Sequence, residues 1–437
     1  MILDGLLRRF RRTPPAAPST APAPRAGAER RRPDRPAPDT LGTGALRPLV
    51  AADGSLAGFE FDAGAQAGAR LRRDGDADLA RSHARNVLGA MRLCIGQGRV
   101  ALARLPPAWL MRCEGEGLFV PGMHLVLDAD DPGDDPQALA ALISRLRAAG
   151  VRLGWGPLRT DTFRPLPGRP DFVPLPAPVT PGVEAWRAAI AAGARLWPGV
   201  PQVLLDLPDV DLMEATLVAP VVLAACALGA PKAPARVQAL PPQAPRLLRL
   251  LHRLVRDDDH ALVVADIKAD AALAVRLLHH LNTAGASPGR PLESIDDAVR
   301  VLGRQALYRW VAQMLVRLAP PRPAAEALQA FALARARLLE ALATAAGEPE
   351  PGSLYLLGLS AALPQLLGCS LDDALAGLPL PEAATQALRE HRGPWRPYLA
   401  LAEALEAGDM TAAAERAAPF GGIEAVMPHA TRAWLAR

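Results

Sequence analysis

The chain has 437 residues, half of them hydrophobic and only 4% aromatic, with a formal net charge of +4. A chain of this length is expected to hold two or three domains with sizeable cores. Its apolar runs are shorter than the ~18 residues of a membrane span, and none has the form of a secretory signal. These properties argue against a membrane-spanning or secreted protein.

The positive charge is concentrated at the N-terminus. Residues 1–42 contain nine arginines and four acidic residues, which gives +5, so the other 395 residues sum to −1. Eight prolines interrupt this segment, and we predict a disordered Arg/Pro-rich tail over 1–42. Residues 1–12 place aliphatic side chains beside arginines, which fits either a solvated terminus or a short helix for a weak membrane-surface or partner contact. Because the rest of the chain has no surplus positive charge, no nucleic-acid partner is expected.

The four cysteines, Cys94, Cys113, Cys226 and Cys369, are widely spaced and form no C-x-x-C pair. This spacing favours reduced thiols over a disulfide or a metal site. Together with the missing secretory signal, it leads us to expect a cytoplasmic protein.

Residues 43–235 are predicted to form an α/β domain, because β-like runs alternate there with helical stretches. The runs at 46–50 and 56–61 flank a turn and predict a hairpin. Further strand-like runs lie at 100–105, 124–129, 151–156, 171–176 and 203–208, and helices are predicted at 136–150 and 182–196. Such alternation implies parallel βα units. Since about 190 residues is short for a full (β/α)8 barrel of about 250, we predict a trimmed barrel.

Residues 236–437 are predicted to form an all-α domain. A leucine-rich helix ends at Asn282, whose amide is expected to bind free carbonyls or the backbone of the loop that follows. Ser294 is in position to cap the next helix, with Asp297 three residues later. Gly303 supplies the stop that needs a positive φ, and a helix containing Trp310 follows.

Three segments in this domain, LLHHLNTA, LESIDDAVRVLG and LYRWVAQMLV, resemble in order the signature of the HDOD family. These bacterial signalling modules are related to HD-type phosphohydrolases. The resemblance implies that Asn282, Ser294, Gly303 and Trp310 are structural signature residues. Thr283 stands where serine is usual, and the resemblance extends over the C-terminal helices to Trp434.

An active HD-type site needs a His-Asp pair among its metal ligands. No histidine in this chain is followed by aspartate. His279 and His280 are adjacent on a helix and point about 100° apart, so they are not expected to chelate one ion together.

The strand order of 43–235 resembles the EAL domain, a barrel that hydrolyses cyclic di-GMP with divalent cations held by carboxylates. The resemblance implies that Glu60, in Gly58-Phe59-Glu60-Phe61, and Asp128 are remnants of that site. The strand asparagine falls at or near Ala103, residues 153–157 lack the expected carboxylates, and Pro174 replaces the lysine. At most two carboxylates are expected to remain, which is too few for two cations.

The resemblances imply a non-catalytic signalling protein, a degenerate EAL-like barrel joined to an HDOD domain, that acts as a scaffold or regulator. We expect no metal or cofactor and an unidentified signalling protein as partner. Two alternatives stay open: a receptor that binds cyclic di-GMP without hydrolysing it, and a cryptic metal-dependent phosphohydrolase. Arg290 and Glu293, in and beside the Gly/Pro-rich loop, are the candidate interaction residues, unless that loop only sets the angle between its helices.

Overall fold

The structure is a computed structural model, and it describes residues 45–62, 77–128, 135–156, 166, 168–229, 241–283, 292, 294–375 and 380–435. Residues 40–437 form one compact unit. The predicted tail over 1–42 and the predicted domain boundary at 235 and 236 lie outside the described residues.

The N-terminal half is built on one eight-stranded sheet. Its strands are β1 (Ala45–Ala51), β2 (Leu56–Asp62), β3 (Val100–Leu105), β4 (Met123–Asp128), β5 (Arg152–Gly156), β6 (Val173–Leu175), β7 (Gln202–Leu207) and β8 (Val221–Cys226). The strand order is β5-β4-β3-β2-β1-β8-β7-β6. Strand β1 runs antiparallel to both of its neighbours, β2 and β8, and the other ladders are parallel. The chain therefore opens with a hairpin, as predicted, and continues in parallel units.

The sheet curls until its two edges nearly meet. A single bridge joins Gly154 on β5 to Phe172, the residue before β6. A Cβ atom at Gly154 would lie 2.5 Å from the Phe172 ring, so a side chain there would push the edges apart. The interior of this near-barrel is packed by aliphatic side chains and Phe172, contributed by Leu49, Leu102, Val126, Phe172, Val203, Leu205, Leu223 and Ala225.

Helices cover the outside of the near-barrel. They are α1 (Ala77–Gly96), α2 (Pro107–Met111), α3 (Pro136–Ala148), α4 (Val183–Leu196) and α5 (Val210–Thr216). Alternate residues of β3 divide between the two sides, since Ala101, Ala103 and Leu105 pack towards helices while Leu102 packs inside. Strand β3 is therefore buried on both faces, with alternate residues on opposite sides of the sheet.

Four of these elements, β8, α1, α2 and α5, were not predicted from the sequence. Strand β8 reads VVLAAC, and its three small or sulfur-bearing residues carry a weak β signal. With β8 the sheet has eight strands. The barrel is therefore trimmed in the length of β6, which has only three residues, and not in its number of strands. Helix α1 spans 20 residues within a segment for which no helix was predicted.

The C-terminal half is helical throughout its described residues. Its elements are α6 (Ala244–Val255), α7 (His260–Lys268), α8 (Ala271–Thr283), α9 (Ile295–Leu302), α10 (Arg304–Val316), α11 (Ala325–Ala346), α12 (Pro351–Leu367), α13 (Leu371–Leu375), α14 (Glu382–Arg389), α15 (Arg396–Ala407), α16 (Met410–Arg416), a 3-10 turn (Ala418–Phe420) and α17 (Ile423–Leu435). Helices α11 and α12 pack along each other at the centre. The predicted fold class, an α/β near-barrel followed by an all-α region, is confirmed.

The helical half packs directly on the β1–β2 hairpin. The indole of Trp434 on α17 meets the Phe59 ring of β2 edge-on, with the centroids 5.4 Å apart. At the hairpin turn, Gly54 has a φ of +84°, and a Cβ there would lie 1.4 Å from the carbonyl oxygen of Pro323. Only glycine satisfies both the backbone angle and this approach.

One ion pair lies within the helical half, and one group of ion pairs joins that half to the barrel. Arg335 and Glu406 form a bidentate pair between α11 and α15, with only 3% and 13% of their side chains exposed. Arg322, just before α11, donates to Glu214 on α5 at 2.8 Å and to Asp211 at 2.8 Å. The four cysteines are buried and free.

Candidate functional site

Charged side chains from four strands meet at the carboxyl ends of the parallel strands, at one mouth of the near-barrel. We call this set the mouth cluster; it consists of Arg47 on β1, Glu60 on β2, Arg104 on β3 and Asp206 on β7. Because β1 is antiparallel, its early residue Arg47 reaches the same end as the late residues of the parallel strands. In (β/α) barrels this end is where functional side chains collect.

Glu60 is the buried centre of the mouth cluster, with 0% of its side chain exposed. Arg104 donates from Nε to Oε1 of Glu60 at 3.0 Å, and its Nη2 lies 3.0 Å from the same oxygen. Nη1 of Arg47 lies 3.7 Å from Oε2. A buried carboxylate persists as an ion only when such charges compensate its lost hydration.

Asp206 is the second carboxylate of the mouth cluster, and it is bound by the same two arginines. Arg104 donates from Nη2 to Oδ1 at 2.8 Å, and Arg47 donates to that oxygen as well. Burial acts to raise the pKa of Asp206, but Arg104 and then Arg47 outweigh it, and the pKa lies below its usual value. Its backbone is left-handed, with a φ of 61°.

Two members of the mouth cluster, Arg104 and Asp206, were not among the residues expected at the remnant site. Ala103, placed at or near the strand asparagine, packs on the helix side of β3, and the residue that shares the interior with Leu102 and Glu60 is Arg104. Asp206 joins Glu60 there, so the described part of the mouth cluster holds two carboxylates. Alternation along β3 from the buried Leu102 is the signal that could have identified Arg104.

The residues at the other positions where the resemblance implied losses lie on β5 and β6. On β5, Gly154 and Gly156 face the interior, since Cβ atoms there would meet Phe172 and Val126. Pro174 lies beside them, with its Cγ 3.8 Å from that Gly156 position. Asp128 ends β4 and pairs with Gly156 in register; its side chain lies outside the described residues.

The mouth cluster does not suit a divalent cation as it stands. Mg²⁺ and Mn²⁺ require carboxylate oxygens directed at the ion. Here both described carboxylates receive charge-assisted hydrogen bonds from guanidinium groups, which would repel an ion placed between them. Within the described ranges, no group of three or more His, Cys, Asp or Glu side chains could hold a metal.

The signature residues of the helical half lie on or beside α8, α9 and α10. Asn282 at the end of α8 forms a two-way clamp, donating from Nδ2 to the carbonyl of Leu292 at 3.1 Å and accepting from its N–H at 2.8 Å. Ser294 caps α9 by accepting from the N–H of Asp297 at 3.2 Å. Gly303, with a φ of 74°, ends α9 and starts α10.

Trp310 is buried on α10 and stacks on the His280 ring, with centroids 6.1 Å apart. The hydroxyl of Thr283 donates back to the carbonyl of His279 at 2.8 Å, a bond that a serine would also make. Arg290 and Glu293 lie outside the described residues.

Comparison with known proteins identifies this helical region. Residues 240–386 match the family described as HDOD domain. The YuxH protein of Bacillus subtilis (strain 168) is 25% identical over 169 residues, which is 38% of this chain and 41% of that protein. The alignment thus spans less than half of the relative's length.

Among solved structures, the chain is similar to the Bacillus subtilis YkuI protein, which has an EAL domain and was solved in complex with substrate c-di-GMP and calcium. The match has a TM-score of 0.33 and 12% identity, and covers 61% of this chain and 72% of that one. In the described part of the chain, no helix is long and apolar enough to cross a membrane. Residues 240–386 are an HDOD domain, and the near-barrel before them is consistent with the EAL-like fold expected from the sequence.

Proposed function

We propose that this chain is a non-catalytic, cytoplasmic signal-transduction protein that acts in cyclic di-GMP-related signalling as an interaction scaffold or regulator. The supporting observation is that Arg104 bridges the two described carboxylates of the mouth cluster, Glu60 and Asp206. A hydrolytic site of the EAL type would need those oxygens for its cations.

The charges of the mouth cluster support this proposal. Metal-assisted phosphodiester hydrolysis uses cations to generate the nucleophile and to stabilise the leaving oxygen. At the mouth cluster, two guanidinium groups occupy hydrogen-bonding positions on the carboxylates, and an arginine cannot be deprotonated to make room. The arginines supply charge balance for the fold but neither a bound water nor a Lewis acid.

The test is a turnover assay on the full-length protein with cyclic di-GMP and either Mg²⁺ or Mn²⁺. We expect no hydrolysis above the background of the matched variant Glu60→Gln, which keeps the side-chain shape and removes the charge. Hydrolysis by the unmodified protein that this substitution abolishes would contradict the proposal and favour an active phosphodiesterase.

A second candidate function is a receptor that binds cyclic di-GMP without cutting it. The observation that favours it is the partial exposure of the two arginines, 18% for Arg47 and 34% for Arg104, because guanidinium edges bind phosphate well. YkuI, to which the chain is similar, was solved with this nucleotide. Saturable calorimetric binding without turnover, weakened at least about ten-fold in Arg104→Gln, would establish the receptor.

The interaction role rests on the HDOD surface. Three successive helices there, α7, α8 and α9, each expose one large aliphatic side chain, Leu262, Val275 and Val301. Capture of partners by the intact protein should weaken when all three are changed to serine. A control that changes the exposed barrel residues Leu93 and Leu196 to serine should retain capture. Equal capture by both variants would direct attention to the loop, where Arg290→Ala and Glu293→Ala become the test.

A further inference from the structure

A cavity between the HDOD helices and the C-terminal helix holds more positive than negative charge. We call it the helical cavity; its volume is about 310 Å³, and its titratable lining comprises Arg309, Arg337, Glu340, Tyr355, His429 and Arg432. These residues come from α10, α11, α12 and α17. Convergence of polar groups from four helices is the arrangement that small-molecule sites commonly use.

The charges in the helical cavity do not balance. Three guanidinium groups face one carboxylate, Glu340, so the arginines and the glutamate of the lining carry a surplus of two positive charges. Arg309 uses that carboxylate, with Nη2 3.2 Å from Oε2 of Glu340. Arg337 instead reaches the carbonyl of Ala433 on α17, at 3.4 Å.

The surplus of positive charge in the helical cavity is unfavourable for the folded chain. Burial lowers the pKa of Arg337, and the neighbouring charge of Arg309 lowers it further, although Tyr355 and Glu340 act in the opposite direction. Burial likewise raises the pKa of Glu340 despite Arg309. A dianion in the helical cavity would remove the repulsion between the guanidinium groups, and planar guanidinium forks suit phosphate oxygens in particular.

The remaining lining gives the ligand an organic part. Leu333, Ala341 and Ala433 form apolar wall beside the Tyr355 ring. The volume lies at the lower end of the ~300–1,000 Å³ range of small-molecule sites and exceeds what a bare phosphate needs. A phosphate monoester carries about −1.5 to −2 at pH 7, which matches the surplus of two charges.

We propose that the helical cavity binds a small organic phosphate monoester, with Arg337 and Arg432 as its principal ligands. This site is separate from the mouth cluster and does not depend on the function proposed above. Arg432 and His429 both lie on α17, the helix whose Trp434 packs on Phe59 of β2. Binding would therefore hold α17 against α11 and stabilise the packing of α17 on the barrel.

The test uses three monoesters as probes, AMP, phenyl phosphate and glycerol phosphate, with adenosine and inorganic phosphate as matched controls, in calorimetry on the full-length protein. We expect saturable binding of at least one monoester, no binding of adenosine, and weaker binding of inorganic phosphate. Arg337→Met and Arg432→Gln should each weaken the monoester about ten-fold or more. Hydrogen exchange in α17 should slow when the monoester is bound.

Two control variants locate the site. Arg187→Gln and Arg145→Gln remove exposed arginines on α4 and α3; both should bind the monoester normally. Arg432 is exposed, so Arg432→Gln is expected to fold even if Arg337→Met does not. The proposal is overturned if none of the three monoesters binds, if inorganic phosphate or adenosine binds as tightly, or if Arg432→Gln leaves the affinity unchanged.

Discussion

The mouth cluster and the helical cavity use the same side chain in opposite ways. At the mouth, two arginines face two carboxylates, and each guanidinium lies within ion-pair distance of both acids. In the helical cavity, three arginines share one carboxylate. The first set has equal numbers of arginines and carboxylates, whereas the lining of the second has two more arginines than carboxylates.

The difference separates structural arginines from ligand-binding ones. A balanced, buried cluster stabilises the folded chain and loses stability when one member is removed. An unbalanced cluster repels itself, so removing one of its cations should cost little. When an arginine is substituted, the sign of the change in the free energy of unfolding therefore indicates its role more directly than its solvent exposure does.

The largest effect should come from Glu60→Gln at the mouth cluster. The substitution leaves Arg47 and Arg104 with Asp206 alone, so two guanidinium groups share one charge. We expect a loss of about 2–3 kcal/mol in the free energy of unfolding, below the 3–5 typical of fully buried pairs because both arginines are partly hydrated. Urea denaturation measures it; a loss below about 0.5 kcal/mol, the size of an ordinary surface change, would show that the cluster is not the balanced unit described.

A smaller effect is expected for Asp206→Asn, which tolerates the left-handed backbone that alanine would not. Loss of the charge should cost about 1–2 kcal/mol at pH 7. Because the pKa of Asp206 is lower in the folded chain, its stabilisation is complete above the unfolded value of about 4 and is lost as the pH falls through the folded pKa.

The measurement is the difference in unfolding free energy between the unmodified chain and Asp206→Asn across pH. It should stay constant from about pH 7 to 5 and shrink below about pH 4. A difference that grows on acidification would mean that the charge of Asp206 destabilises the fold.

Local signals predicted the helical half well. The hydrogen bonds at Ser294 and Gly303 span only three or four residues of the chain. The sequence alone therefore predicts the cap and the positive φ. The clamp between Asn282 and Leu292 spans ten residues, and a loop contact was expected there. The strand-like runs likewise predicted every strand of the sheet except β8. The small residues of β8 form a strand only because strands pair with it on both sides.

The mouth cluster could not be predicted in the same way. Arg104 and Asp206 are 102 positions apart, and Arg47 and Asp206 are 159 apart. Their meeting requires the register of four strands and the antiparallel direction of β1. The resemblance to the EAL domain concerns carboxylates, and the arginines that bind the carboxylates here leave no motif in the sequence.

An uncharged polar contact provides a scale for these effects. Asn282→Ala removes both hydrogen bonds to Leu292, and since the side chain is exposed we expect a loss of about 1 kcal/mol. Urea denaturation is again the measurement, with Thr283→Ser as the control that keeps its hydroxyl bond. An unchanged stability would mean that the loop is held by other contacts.

The smallest effect, and the one with the opposite sign, is expected for Arg337→Met. Methionine retains the apolar stem that packs between α11 and α17 and removes the charge that Arg309 repels. Because the pKa of Arg337 is lower in the folded chain than in the unfolded one, its charge destabilises the fold, and removal should leave the free energy of unfolding unchanged or raise it by up to about 0.5 kcal/mol. The long bond to Ala433, at 3.4 Å, is too weak to reverse that sign. Urea denaturation of Arg337→Met beside Glu60→Gln, without added phosphate, makes the comparison direct. If both variants lost about 2 kcal/mol or more, as removal of one partner from a buried pair does, the helical cavity would be a second balanced cluster, and its arginines would be structural.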